Sequence, residues 1–272
     1  MTQWPARLVL VGAGKMGGAM ARGWLAAGLS ASSLTILEPN PSHEIASLSA
    51  ERGVALNPRV AAPPPEMLVL AVKPQSLDQV APEIAALAAE RTLVLSIIAG
   101  KTIANLMARL PQAHAIVRAM PNTPAAIGRG VTAAFANQHV NEEQQGWCER
   151  LLGAVGAFFW LNGEDAIDAV TAISGSGPAY VFALTEALAA AAEKLGLSAD
   201  LSMKLARGTV EGAAELMRRE AETSPATLRR NVTSPGGTTA AALAVLEDAK
   251  GLNDLMARAT AAARARAAEM AG

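Results

Sequence analysis

The stretch "LVLVGAGKMGGAM", residues 8–20, decides how the first half of the chain is read. The apolar run Leu8–Val11 predicts a short strand, and it leads directly into Gly12, Gly14 and Gly17 in the spacing G-x-G-x-x-G. A helical pattern over Met16–Ala27 follows. In that strand–turn–helix setting each glycine has a task. Gly12 permits the tight turn, Gly14 lets the backbone approach a pyrophosphate, and Gly17 allows close packing of helix on strand. The helix start then offers unpaired N–H groups and the positive end of its dipole to phosphates.

Working outward, further strand-like runs are "LTIL" (34–37), "MLVLAV" (67–72), "TLVLSII" (92–98) and "AIVRAM" (115–120). Between them lie helical patterns at Ser42–Arg52, Leu77–Glu90 and Ile103–Leu110. Such alternation, with nearly continuous apolar strands, predicts a parallel sheet covered on both faces. Two later runs, "GVTAAFA" (130–136) and "AFFWL" (157–161), are expected to extend it. The pattern changes near residue 163. From Glu164 onward the chain reads as helices: a long apolar one over 179–197, expected to be buried on most sides, then one from Ser198 to about Glu220. Gly196 stops the first and Ser198 caps the second. Further helices begin near Thr238 and after Gly251. The expected architecture is therefore α/β: a doubly wound dinucleotide-binding domain over 1–163, followed by an all-α domain over 164–272. The helices of the latter are too apolar for a small lone bundle, which implies burial between subunits, a larger core within one chain being the alternative.

Bulk composition narrows the function classes. The 272 residues are 51% hydrophobic and 17% charged with a net charge of −1, so the chain is globular and lacks the basic surface that holds nucleic acid or an anionic membrane. No run of about eighteen uninterrupted apolar residues predicts a membrane span, and the N-terminus lacks the pattern of a signal peptide, so a cytoplasmic location is expected. Cys148 is the single cysteine, which excludes an intrachain disulfide, and His43, His114 and His139 show no metal-ligand spacing.

Ligands of open α/β sheets bind at the carboxyl ends of the strands. The second strand ends at Glu38, where an acidic side chain usually bonds the adenosine ribose and repels a 2′-phosphate, favouring NADH. Asn40 and Ser42 follow as neutral donors, so the choice between NADH and NADPH stays open. "AVKPQ" (71–75), "SIIAG" (96–100) and "MPNTPA" (120–125) mark other loops on that edge, with Lys73 their one charge; Asn122 and Thr123 can bond within their loop or to a nicotinamide amide. In the helical half, "NVTSPGGTTAAAL" (231–243) interrupts the helices with more glycine and threonine than a turn requires. Glycines that leave N–H groups bare, ahead of a helix starting near Thr238, make an anion site of main chain.

Together "VGAGKMGGAM", "AVKPQ", "SIIAG", "RAMPNTPA", "SGSGPAY" and "NVTSPGGTT", in this order, resemble pyrroline-5-carboxylate reductases over nearly the whole chain. The late "LRRNVTSPGGTTAAAL" segment is the most specific part, since the glycine fingerprint alone fits many dehydrogenases. The resemblance implies an N-terminal Rossmann domain, a helical dimerisation domain, and dimers that often assemble into decamers. It implies reduction of L-1-pyrroline-5-carboxylate to L-proline with NADPH or NADH. By motif match, Gly12, Ala13, Gly14, Lys15, Met16 and Gly17 hold the pyrophosphate, and Glu38 faces the ribose. Val72, Lys73, Pro74, Ala99 and Asn231 are the remaining cofactor positions. Ser234, Gly236, Gly237, Thr238 and Thr239 are substrate positions, joined by Glu164 and Glu222, and Thr239 is assigned the polarising or proton-relaying hydroxyl. The family commonly has Ser, Thr or Arg where this chain has Glu38. Two other readings remain. A β-hydroxyacid dehydrogenase or ketopantoate-type reductase relies on a lysine, but Lys194 reads as a helix C-terminal charge. A non-enzymatic dinucleotide-binding protein would not need the 234–239 loop.

Overall fold

A computed structural model describes residues 3–58 and 63–271. Among the described residues, eight strands form one sheet: β1 (Leu8–Val11), β2 (Leu34–Leu37), β3 (Ala55–Leu56), β4 (Met67–Leu70), β5 (Leu93–Ser96), β6 (Ile116–Met120), β7 (Gly130–Ala136) and β8 (Gly156–Trp160). Their spatial order is β3-β2-β1-β4-β5-β6-β7-β8, and every neighbouring pair is parallel except β6–β7. Chain order runs outward in opposite directions from β1 and β4, so the topological switch point lies between them.

Period-two alternation places the strand side chains in two cores. Leu8 and Leu10 join Met20, Trp24 and Ile36 on one face; Val9 and Val11 join Leu68, Leu70, Leu77 and Ile84 on the other. The helices covering the sheet are α1 (Lys15–Ala26), α2 (His43–Arg52), α3 (Leu77–Ile84), α4 (Ile103–Arg109) and α5 (Glu142–Gly153). Trp24 of α1 is fully buried and its indole N–H donates to Leu151 O at 2.9 Å, tying α1 to α5. Ser42, Thr102 and Asn141 cap α2, α4 and α5 with their side chains. Cys148 lies buried in this core, and desolvation pushes its thiol pKa up, which leaves it inert.

Three local expectations need correction. The helix expected over Leu77–Glu90 ends at Ile84 and continues only as a 3₁₀ turn, Ala85–Leu87. Pro82 in its interior removes a helical hydrogen bond. β3 has no counterpart among the expected strands, because two residues carry no readable period. Helix α9 (Pro225–Asn231) has none among the expected helices; it has Pro225 in its first turn and Ser224 as its cap.

The chain divides into two compact units, Met1–Ser176 with Ala263–Gly272, and Gly177–Ala262. The first unit ends its sheet region with α6 (Ala166–Val170) and a π-helical turn, Thr171–Gly175. The second contains α7 (Gly177–Lys194), α8 (Ala199–Arg219), α9, α10 (Thr238–Leu246) and the first part of α11 (Leu252–Ala271). Gly196, at φ +95, closes α7, and Ser198 caps α8 through Leu201 N. The burial expected for α7 is absent from the single chain: only Ala189 is buried, while Phe182 is 63% exposed and Val181, Leu184 and Leu188 are also open. Ala166–Lys194 is long and apolar enough to cross a membrane by length and composition alone, although Gly, Ser and Thr interrupt its apolar run, as expected from the sequence.

Candidate active site

The glycine loop lies at the switch point. Gly12 has φ +90, and a Cβ there would stand 2.7 Å from Ala71 O, so the loops after β1 and β4 approach more closely than a side chain allows. At Gly17 a Cβ would lie 2.2 Å from Gly12 O, so the first turn of α1 can close on the loop only with glycine. Gly14, the N-cap of α1, is different: a Cβ there would meet nothing within 4 Å. Its backbone is open to a ligand rather than packed, and no side chain caps the helix. Lys15 is exposed beside it, Met16 half-buried and Ala13 buried.

A cleft of about 860 Å³ opens from this loop. Gly12, Gly14, Glu38, Asn57, Val72 and Lys73 are among the residues that line it. The size suits part of a dinucleotide, and the bare Gly14 backbone fits a pyrophosphate. Pro74 starts a 3₁₀ turn directly after Lys73, and Ala99 is half-buried after β5.

Glu38 sits where expected, but its carboxylate has internal partners. Oε2 accepts from Ala13 N at 2.8 Å and Oε1 from Asn40 N at 3.1 Å. Asn57, missed from sequence, fixes the Glu38 backbone: its Oδ1 accepts from Glu38 N and its Nδ2 donates to Glu38 O, both at 2.8 Å. Asn57 has φ +49, a left-handed conformation that asparagine tolerates. The available signal was an Asn-Pro pair after a short apolar stretch. Ser42, a candidate phosphate donor by sequence, is used as the cap of α2 through Ile45 N.

Asn122 likewise turns inward. Its Nδ2 donates to Ser174 O at 2.9 Å and its Oδ1 accepts from Val131 N at 2.8 Å, so it ties the loop after β6 to β7 and to the π turn. The side chain is buried and committed, so of the two expected uses it makes the internal one and not the bond to a nicotinamide amide.

Glu164 is also in the first unit. Its Oε1 accepts from Ile103 N at 2.8 Å, at the start of α4, and from Arg118 Nη1 at 3.1 Å. Arg118 rises from the middle of β6, is 4% exposed, and also faces Asp168 of α6, with Nη2 3.7 Å from Oδ1. A buried guanidinium left without its partner costs about 3–5 kcal/mol, so this cluster fixes α6 to the sheet.

In the second unit, Asn231 is the last residue of α9 and is exposed. Ser234, Pro235, Gly236 and Gly237 then make a reverse turn, with Gly236 at φ +69 and Gly237 N donating to Ser234 O at 3.1 Å. Pro second and a left-handed Gly third is the type II signature. The expectation that both glycine amides are bare needs correction, because the Gly237 N–H is used in closing the turn. The bare amides lie one step on. α10 has no side-chain cap, so Thr238 N, Thr239 N and Ala240 N, in its first turn, have no intrahelical acceptor. The Thr239 side chain is half-buried beside them, and Thr238 is exposed. Glu222 is exposed in the turn before α9. Among the described residues, no three His, Cys, Asp or Glu side chains gather as metal ligands.

The chain is similar to known proteins over nearly its whole length. A family model described as pyrroline-5-carboxylate reductase dimerisation matches residues 164–270, and one described as NADP oxidoreductase, coenzyme F420-dependent, matches 7–100. A pyrroline-5-carboxylate reductase from Pseudomonas aeruginosa is 41% identical over 267 residues, 97% of each chain. The solved structure of a pyrroline-5-carboxylate reductase from Coxiella burnetii is 37% identical, with a TM-score of 0.89 over 98% of this chain and 99% of that one. A Plasmodium falciparum pyrroline carboxylate reductase solved with NADP bound is 28% identical, with a TM-score of 0.80 over 98% of both chains. Sequence identity, coverage and fold agree from end to end, and this chain belongs to the pyrroline-5-carboxylate reductase family.

Proposed function

We propose that this chain reduces L-1-pyrroline-5-carboxylate to L-proline, the last step of proline biosynthesis, using NADPH or NADH. The observation that carries the reading is the pairing of two elements in one chain: a glycine loop with open backbone at Gly14, and an uncapped α10 start behind the Ser234–Gly237 turn. The first suits a dinucleotide pyrophosphate, the second a substrate carboxylate.

When bound, the reduced nicotinamide supplies a hydride to the imine carbon. The residues position the reactants for that event, because a protonated imine is already a good hydride acceptor. Ala13, Gly14, Lys15, Met16 and Gly17 hold the pyrophosphate, Gly12 shapes their turn, and Val72, Lys73, Pro74, Ala99 and Asn231 complete the cofactor positions. Ser234, Gly236 and Gly237 form the turn that leaves Thr238 N and Thr239 N for the carboxylate. The Thr239 hydroxyl hydrogen-bonds the ring nitrogen, and Glu164 and Glu222 place negative charge for the cationic ring. The functional division falls at Gly163/Glu164, where the dimerisation model begins. The apolar face of α7 and α8 is covered in a cytoplasmic homodimer, itself a unit of a larger ring such as a decamer.

Cofactor preference follows from Glu38. Its carboxylate is held at the end of β2 by the amides of Ala13 and Asn40, where its negative charge opposes a 2′-phosphate, so NADH is favoured. Glu38→Ser frees both amides and removes the repulsion. The ratio of kcat/KM for NADPH over NADH is expected to rise on the order of 10-fold, about the worth of one charge-assisted hydrogen bond. An unchanged ratio would show that Glu38 does not face the ribose. The overall reading is tested by following NADH and NADPH oxidation with the pyrroline substrate and identifying proline; no turnover with either nucleotide would overturn it.

A further inference from the structure

We propose that Arg118 is a positioning residue for substrate binding: with the Ile103 amide it holds Oε1 of Glu164 and leaves Oε2 as the atom turned to the cationic ring nitrogen. The inference rests on the reading of Glu164 as a substrate-pocket residue and adds what aims it.

Both donors converge on one oxygen. Ile103 N reaches Oε1 at 2.8 Å and Arg118 Nη1 reaches it at 3.1 Å. Two donors on the same oxygen fix the carboxyl plane while the second oxygen keeps its lone pairs. The side chain of Glu164 is 27% exposed, so that second oxygen is not sealed in the core as Arg118 is. Charge count points the same way. One guanidinium faces two carboxylates, Glu164 and Asp168, so the cluster carries a net charge of −1. Asp168 Oδ1 is buried without a hydrogen bond, and among the described residues its cation is Arg118, with Nη2 3.7 Å away. Two ordinary salt-bridge partners would need two cations. A cluster short of one positive charge is complementary to a substrate that brings one, and the imine ring is protonated when it accepts hydride. Arg118 comes from β6, Ile103 from the start of α4 and Glu164 from the segment before α6, so three elements of one compact unit set the angle of a single carboxylate.

The test uses the full-length enzyme with Glu164→Gln, Arg118→Lys and Ile103→Pro, plus the double variant Arg118→Lys/Glu164→Gln. Lysine keeps the charge but loses the planar fork that fixes the carboxylate. Proline removes the Ile103 donor at the first helical position, where the helix tolerates it and where the extended Thr102 (φ −77, ψ 163) accepts it. Each single variant is expected to raise KM for pyrroline-5-carboxylate roughly 10-fold, while the dissociation constant of the reduced dinucleotide moves less than about twofold. The double variant is expected to be no worse than Glu164→Gln alone, because Arg118 acts only through Glu164. A KM effect in Glu164→Gln without one in Arg118→Lys or Ile103→Pro would overturn the positioning role and leave Glu164 in the pocket. Additive losses in the double variant would overturn it as well. No KM effect in Glu164→Gln would overturn the assignment of Glu164 itself. Ile103→Pro keeps the test decisive if Arg118→Lys does not fold.

Discussion

Gly17→Ala is expected to abolish productive dinucleotide binding. The added methyl would stand 2.2 Å from Gly12 O and 3.1 Å from the Ala71 side chain, and neither neighbour is the free end of a flexible chain. The first turn of α1 must therefore move off the loop. Displacing positioned groups by about 1 Å costs on the order of 100-fold, and overpacking adds roughly 1–3 kcal/mol of destabilisation. Gly14→Ala is the informative partner. Its methyl meets nothing within 4 Å, so the fold should be untouched, yet it projects from the backbone that the pyrophosphate approaches. Thermal melting with and without NADH separates the two. Gly17→Ala should lose both intrinsic stability and the ligand-induced rise in Tm; Gly14→Ala should keep the first and lose the second. A full ligand-induced shift in either variant would refute the assignment of this loop.

The second large effect is expected at the other end of the chemistry. Gly237→Val places a Cβ 3.2 Å from Ser234 O and adds a branched side chain directly before the amides of Thr238 and Thr239. Stability should fall only modestly: valine is a poorer N-cap than glycine and its Cβ contact is tight, but no side-chain bond is lost and φ −79 suits it. Substrate affinity should fall far more. Hydrogen bonds to a charged group are worth about 1.5–3 kcal/mol each, so with two lost the KM for the pyrroline substrate should rise by about 100-fold or more. The affinity for NADH or NADPH should be unaltered. Steady-state kinetics with direct dinucleotide titration checks both halves, and unchanged KM and kcat would remove the loop from the substrate site.

How much was legible before the structure depended on the range of the interaction. β1, β2 and β7 fall where their apolar runs predict, and the helix–turn–helix around Gly196 and Ser198 was readable, because strand period and caps are written within a few residues. The turn at 234–237 was legible as a break, but the use of the Gly237 amide was not. Which N–H closes a Pro-Gly turn is a matter of dihedral angles, and sequence pattern alone left both amides equivalent. Glu164 and Arg118 are 46 residues apart, and nothing local marks them as partners. The same holds for Asn57 and Glu38, 19 residues apart through a strand too short to carry a period. For α7, an apolar surface on all sides states that something covers the helix without stating what, and in one chain most of it lies open.

The most direct measurement is isotope transfer. Enzyme, L-1-pyrroline-5-carboxylate and NADPH or NADH deuterated at nicotinamide C4, on the face from which hydride leaves, are incubated, and the product is read by mass spectrometry and NMR. The predicted result is L-proline carrying one deuterium on the ring carbon that was doubly bonded to nitrogen. Unlabelled proline, or no proline with either nucleotide, would contradict hydride transfer to the imine by this chain.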